Sequence, residues 1–126
     1  MNAQDDRTFF ARDAYHAWKG RVKDAAESVV VFTPYLDDML DRLLKNAALK
    51  VEAITVVTDL SPASGALDYR AQLIGVRALM RRGVNVRSLR RLHAKVLLCD
   101  WRIATVGSQN FTSYGRRSHE TTAVPP

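Results

Sequence analysis

Cysteine occurs once in the 126 residues, at Cys99. A lone thiol cannot close an intrachain disulfide, and three scattered histidines, His16, His93 and His119, offer no zinc-ligand spacing, so neither a metal nor a cofactor is expected. Long apolar runs are also missing. None approaches the ~20 residues that a membrane-spanning helix needs. The opening Met1-Asn2-Ala3-Gln4-Asp5-Asp6 is polar and acidic, without the basic start and apolar stretch of a signal peptide, and a cytoplasmic protein is expected. With four prolines, six glycines, no repeat and no low-complexity tract, no linker can be drawn, so residues 1–126 read as a single domain.

Acidic residues are scarce in one region in particular. Residues 1–69 carry eight basic and eleven acidic side chains, whereas residues 70–117 carry eleven basic ones against Asp100 alone. The overall charge of +6 therefore understates a field confined to the second half of the chain. Such a field is either a solvated helix face or an anion-binding surface.

What is present is alternating helix and strand. Phe10, Ala14, Tyr15, Trp18, Val22 and Ala25 recur at three- and four-residue steps and predict a helix from Thr8 to about Ala26. Val29 to Phe32 reads as a buried strand, stopped by Thr33-Pro34-Tyr35. Leu36, Met39, Leu40, Leu43, Leu44 and Ala47 trace a second helical face, with Asp37, Asp38 and Asp41 early and Lys45 late, as the helix dipole favours. A strand from Val51 to Leu60 precedes the turn cluster Ser61 to Gly65. A third helix is predicted from near Ser64 to Arg82, with Gly83 as its left-handed cap. Three strands follow at 84–89, 95–99 and 103–106, the last two joined by the short turn Asp100-Trp101-Arg102. The order predicts an α/β fold in which helices flank a mixed β-sheet.

The stretch from His93 to Asn110 carries the chemistry. In a strand, His93 and Lys95 project from one face roughly 6.5–7 Å apart, within reach of a single phosphate. If the hairpin folds back, Gly107-Ser108-Gln109-Asn110 returns to the same end of the sheet, with Gly107 permitting a close turn. The pattern H-x-K-x4-D-x6-G-S-x-N resembles the signature of the phospholipase D superfamily, whose members hydrolyse or exchange phosphodiesters in lipids and nucleic acids. At ordinary residue frequencies, its chance occurrence in so short a chain is on the order of one in a million. Val31-Phe32-Thr33-Pro34-Tyr35 also resembles that family's first strand and turn, and Glu120 lies where a family glutamate follows the motif.

The resemblance implies His93 as the nucleophile that forms a phosphohistidine. It implies Lys95 and Asn110 as ligands of the non-bridging oxygens, Ser108 as a further hydroxyl, and Glu120 as the group orienting the imidazole. Asp100 falls on the opposite strand face by parity and is assigned with Gly107 to structure. His16 reads as structural or exposed, Cys99 as buried, and His119 has no clear role. A metal-dependent mechanism has a poor basis, since Asp37, Asp38 and Asp41 spread over more than one helix face.

Family members bring two signatures together, and this chain has one. A homodimer, or pairing with a second motif-bearing half, is expected to complete the site. Single-motif relatives usually continue further, so a chain shortened at its C-terminus, or the first half of a longer protein, is also implied. Nucleic acid is the expected substrate, DNA ahead of RNA, with Arg81, Arg82, Arg87, Arg90, Arg91, Arg116 and Arg117 as backbone contacts. The alternatives are a phospholipid head group, with Trp101 as the candidate for entering the lipid interface, and a non-catalytic DNA-binding module of the same fold.

Overall fold

The computed structural model describes residues 7–61 and 69–126. The turn cluster from Pro62 to Gly65 and the helix start expected near Ser64 lie outside the described residues. Seven strands form one sheet: β1 (Phe9–Ala11), β2 (Val29–Phe32), β3 (Ile54–Thr58), β4 (Asn85–Ser88), β5 (Val96–Cys99), β6 (Ile103–Gly107) and β7 (Thr122–Val124). Their spatial order is β1-β7-β6-β5-β2-β3-β4. β2, β3 and β4 run parallel, and β5, β6, β7 and β1 continue the sheet antiparallel. The sheet is mixed, as the order of elements predicts.

The parallel half needs helical crossovers, because parallel neighbours cannot be joined by a tight turn. These are α2 (Asp38–Leu44) between β2 and β3, and α3 (Tyr69–Arg81) between β3 and β4. α1 (Tyr15–Asp24) links β1 to β2. Trp18 and Val22 of α1, Met39, Leu40, Leu43 and Leu44 of α2, and Val76 and Leu79 of α3 join Val29, Val31, Ile54, Val56, Leu97 and Cys99 in one buried core. The strand residues of that cluster lie directly opposite one another in the register, so all three helices cover the same face. Across the other face run Phe32, Val96 and Val106, and no helix covers them among the described residues. No helix among them is long and apolar enough to cross a membrane.

Three elements differ from the sequence reading. Residues 9–11 are strand and not helix, and α1 begins only at Tyr15. Phe9 and Phe10 are 53% and 70% exposed, so the apolar spacing that includes Phe10 does not face a core. Their backbone pairs with β7, a three-residue strand too short to show periodicity in the sequence. Val51–Ala53 is a 3₁₀ turn ahead of β3. α3 does end as expected: Gly83 sits at φ +89°, with Gly83 N–H donating to Met80 and Val84 N–H to Leu79, the paired bonds of a Schellman cap.

The β5–β6 turn places Asp100 and Trp101 at φ 56° and 55°, the left-handed pair that matches the twist of a hairpin. The Asp100 carboxylate accepts the N–H groups of Ala26, Glu27 and Ser28, tying the turn to the entry of β2. Those N–H groups, from Ser28, Ala26 and Glu27, hold its carboxyl below the ordinary 3.8. A carboxyl depressed in the folded state stabilises above its unfolded pKa, and that stabilisation is lost as pH falls through the lower folded value. Asp100→Asn keeps a side chain that tolerates φ > 0 and removes the charge. It is expected to lower stability at neutral pH and to flatten the decline below pH 3.8. Denaturant titrations at both pH values check this; equal stability loss at both would show that the charge is not involved.

Candidate active site

The N-terminal end of β5, the C-terminal end of β6 and the start of β7 lie side by side at one end of the sheet. His93 and Lys95 precede β5 and are not inside it. The β5–β6 pairing nevertheless reaches Lys95, whose carbonyl accepts Gly107 N–H at 3.3 Å. Ser108 N–H donates to the Thr121 carbonyl at 3.0 Å, and Thr121 N–H returns a bond to Ser108 Oγ at 3.1 Å. Three separate segments, bearing His93 and Lys95, Gly107 to Asn110, and Glu120, thereby meet at one sheet end. Gly107 is needed there because β7 packs against it: a Cβ would strike the Thr121 carbonyl oxygen and Thr122.

The side chains are in different states. The His93 imidazole is exposed and makes no hydrogen bond among the described residues. Lys95 Nζ donates to the His93 carbonyl at 3.0 Å, which holds the ammonium beside it. Asn110 is half-buried, and its Oδ1 is enclosed without a partner among the described residues. Glu120 Oε1 accepts from Ser118 Oγ at 3.2 Å, and the sequence expectation that it orients His93 has no bond behind it within the single chain.

Two further residues support this end of the fold. Gln109, fully buried, accepts Ala14 N–H through Oε1 at 2.8 Å and donates to Asp13 through Nε2 at 3.1 Å. It anchors the Ser108–Asn110 turn to the start of α1. The available signal was its place between Ser108 and Asn110: a polar side chain pointing inward must be hydrogen-bonded. Asp59, only 4% exposed, accepts from Ser61 Oγ, Ser61 N–H and Arg91 N–H, at 2.7, 2.9 and 3.0 Å. The Ser61 hydroxyl first, then the two N–H groups, hold its carboxyl below the ordinary 3.8. Arg91 sits at φ 64°, so this bond secures a left-handed residue two positions before His93. Nothing in the sequence marks Asp59, because its partner is 32 residues away.

The arginines divide by position. Arg90 and Arg91 are exposed on the approach to His93, and Arg87 is exposed on β4. Arg81 and Arg82 close α3 ahead of β4, at the sheet end opposite His93. Arg82 Nε is also engaged by Asp41 at 2.6 Å. Trp101 likewise lies at the far tip of the β5–β6 hairpin, away from Lys95. Cys99 is buried, and desolvation pushes its thiol up to about 11.

Beside the Ser108–Asn110 turn, a cleft of about 330 Å³ opens between the starts of α1 and α2 and the 113–117 segment. Arg116 is fixed there by Asp13 at 3.1 Å and by the Tyr15 ring, whose centroid is 4.0 Å from the guanidinium carbon. Partial burial raises the Asp13 carboxyl, but bonds from Gln109, Tyr15 N–H and Arg116 outweigh it and hold it low. Arg42 pairs with Asp38 at 2.8 Å, with both side chains more than half exposed, a contact worth about 0–1 kcal/mol and readily exchanged. Arg117 is exposed and has no ion pair among the described residues.

The family model described as "Cardiolipin synthase, PLD-like domain" matches residues 19–124. No curated protein sequence matches the chain. Among solved structures, Nuc, a phospholipase D family member from Salmonella typhimurium, superimposes with a TM-score of 0.72 at 17% identity, over 94% of this chain and 79% of its own. NucT from Helicobacter pylori gives 0.69 at 17% identity, over 93% and 83%. Yeast tyrosyl-DNA phosphodiesterase gives 0.51 at 19% identity, over 93% of this chain and 31% of its own. At these identities, the three structures show a shared fold.

Proposed function

The chain belongs to the phospholipase D-like family, and on that premise we propose that it is a phosphodiesterase that cleaves nucleic acid, DNA ahead of RNA, without a metal ion. The observation that carries this reading is the convergence of His93, Lys95, Ser108 and Asn110 at one sheet end, bordered by the exposed Arg90 and Arg91. The likeness of this chain's fold to that of yeast tyrosyl-DNA phosphodiesterase is consistent with DNA as the class of substrate. The position of Trp101, at the opposite end from His93, removes the one side chain that favoured a lipid interface.

In the proposed reaction, a neutral His93 nitrogen attacks phosphorus and the bond to the leaving oxygen breaks. Lys95 and the Asn110 amide stabilise the charge on the non-bridging oxygens, where a preorganised donor is worth most. The departing oxygen takes its proton from a second, protonated histidine. That histidine then accepts a proton from the water that displaces His93 from phosphorus, and the starting state is restored. Since one chain carries one motif, the second histidine comes from a second copy or another motif-bearing half. Glu120, held by Ser118 within one chain, would take up its orienting role in that assembled site.

The test is turnover of single-stranded DNA, duplex DNA, RNA and phosphatidylcholine in chelator across a range of salt. The expected result is chelator-resistant DNA cleavage that falls steeply with salt, as phosphate contacts require. Lipid turnover without DNA cleavage would select the phospholipid reading. DNA binding with no turnover of anything would select the binding module. A strict monomer in sedimentation that still cleaves would remove the composite site.

A further inference from the structure

We propose that the cleft between Tyr15, Arg42, Ser113, Arg116 and Arg117 is a second phosphate subsite, which takes a neighbouring, unreacted phosphodiester of a polynucleotide bound at His93. The inference rests on the nucleic-acid reading above and sharpens it. Phosphatidylcholine, the lipid of that test, offers one phosphodiester, and that one would be occupied at His93.

Three features carry it. The first is continuity: residues 107–117 form one run that supplies Ser108 and Asn110 to the His93 end and Ser113, Arg116 and Arg117 to the cleft. Buried Gln109 fixes the two against each other, because it belongs to the motif turn and bonds to Asp13, which lines the cleft. A chain crossing His93 therefore meets the cleft in a set relation.

The second is preorganisation. Arg116 is held on one side by Asp13 and on its face by Tyr15, so its guanidinium is oriented before any ligand arrives. Asp13 offsets much of its charge, which makes it an orienting donor. The third is unspent charge: Arg117 has no anionic partner among the described residues, and Arg42 is tied only to the exposed Asp38. A phosphate can draw Arg42 off that pair and bring two guanidinium groups together, whose mutual repulsion the anion would relieve.

The experiment uses the full chain with Arg42→Ala and Arg117→Ala, both exposed positions whose truncation leaves the core intact. Binding of a single-stranded oligonucleotide is followed by fluorescence anisotropy against salt. Each variant is expected to weaken binding about tenfold and to reduce the slope of log K against log salt by about 0.7, the value for one lost contact on a single strand. The ratio of kcat/KM for the oligonucleotide to that for a one-phosphate nitrophenyl diester is expected to fall in parallel. In the wild type, inorganic phosphate should shift the amide resonances of Ser113, Arg116 and Arg117, and Arg117→Ala should abolish the effect.

Wild-type affinity and slope in both variants would overturn the subsite. So would equal losses on the oligonucleotide and the one-phosphate diester, since the cleft would then act on the reacting phosphate. A wild type that cleaves neither substrate but shows the phosphate shifts and the salt-dependent losses would sink the nuclease reading and leave the subsite standing. A wild type that binds neither oligonucleotide nor phosphate would sink both.

Discussion

Replacing His93 by alanine is expected to lower DNA cleavage by at least about 10⁴-fold, equivalent to roughly 5.5 kcal/mol of transition-state stabilisation. No neighbouring group can substitute for it. Lys95 is held against the His93 carbonyl as a cation, and Ser108 Oγ is committed to Thr121. Because the imidazole is exposed and makes no hydrogen bond among the described residues, its removal costs the fold little. Loss of activity with an unchanged unfolding midpoint is therefore the expected signature, and DNA affinity should stay within about threefold because the cationic contacts remain. Single-turnover cleavage, with samples quenched in alkaline denaturant, where a P–N bond survives, and assayed for DNA phosphate bound to protein, gives the decisive reading. If His93→Ala cleaves at a tenth of the wild-type rate, or if wild type accumulates phosphate on another residue, the nucleophile is misassigned. The pH profile should be bell-shaped, because one histidine must begin neutral and its counterpart protonated.

Trp18→Ala is expected to be the most damaging of the core changes, costing about 3–5 kcal/mol. Trp18 is 1% exposed and lies over Phe111 with ring centroids 3.9 Å apart and planes 18° from parallel, while its Nε1 donates to Thr105 Oγ1 at 3.0 Å. Truncation opens a cavity between α1 and β6 and leaves the buried Thr105 hydroxyl without that donor. Against a typical domain stability of 5–15 kcal/mol, the loss is a large fraction, and the melting temperature should fall on the order of 15 °C. Trp18→Phe keeps a ring against Phe111 but loses the hydrogen bond and part of the indole's volume, so it should cost less, about 2–3 kcal/mol. Phe111 follows Asn110 directly. The alanine variant should therefore also lose cleavage at temperatures where it remains folded, as the Asn110 turn loosens. Thermal and denaturant melts of the two variants test the ranking; equal costs would mean that the ring contact contributes little.

These effects were unequally visible in the linear sequence. The alternation of helices and strands, the hairpin after Cys99 and the helix stop at Gly83 are local matters, written in periodicity and turn chemistry, and they suffice for a mixed sheet with helices. β1 and β7 are three residues each; β1 exists by pairing with β7 across more than a hundred positions, and β7 by lying between β1 and β6. No window of sequence contains that information. The same holds for Asp59, whose carboxylate secures Arg91, and for Gln109, whose amide secures α1.

The arginines show the division most plainly. Charge counting alone marks residues 70–117 as a basic region without regard to direction. The crossover through α3 sends Arg81 and Arg82 to one end of the sheet, and the return along β4 brings Arg90 and Arg91 to the other. By itself, then, the sequence determined the element types, the family motif and the total charge, because each depends on composition or on spacing along the chain. Only the tertiary structure decided which of those charges share an end with His93, which are spent on partners such as Asp41, and that Glu120 rests on Ser118. Those outcomes depend on the order in which strands pair, and that order is set by which apolar faces can be buried together.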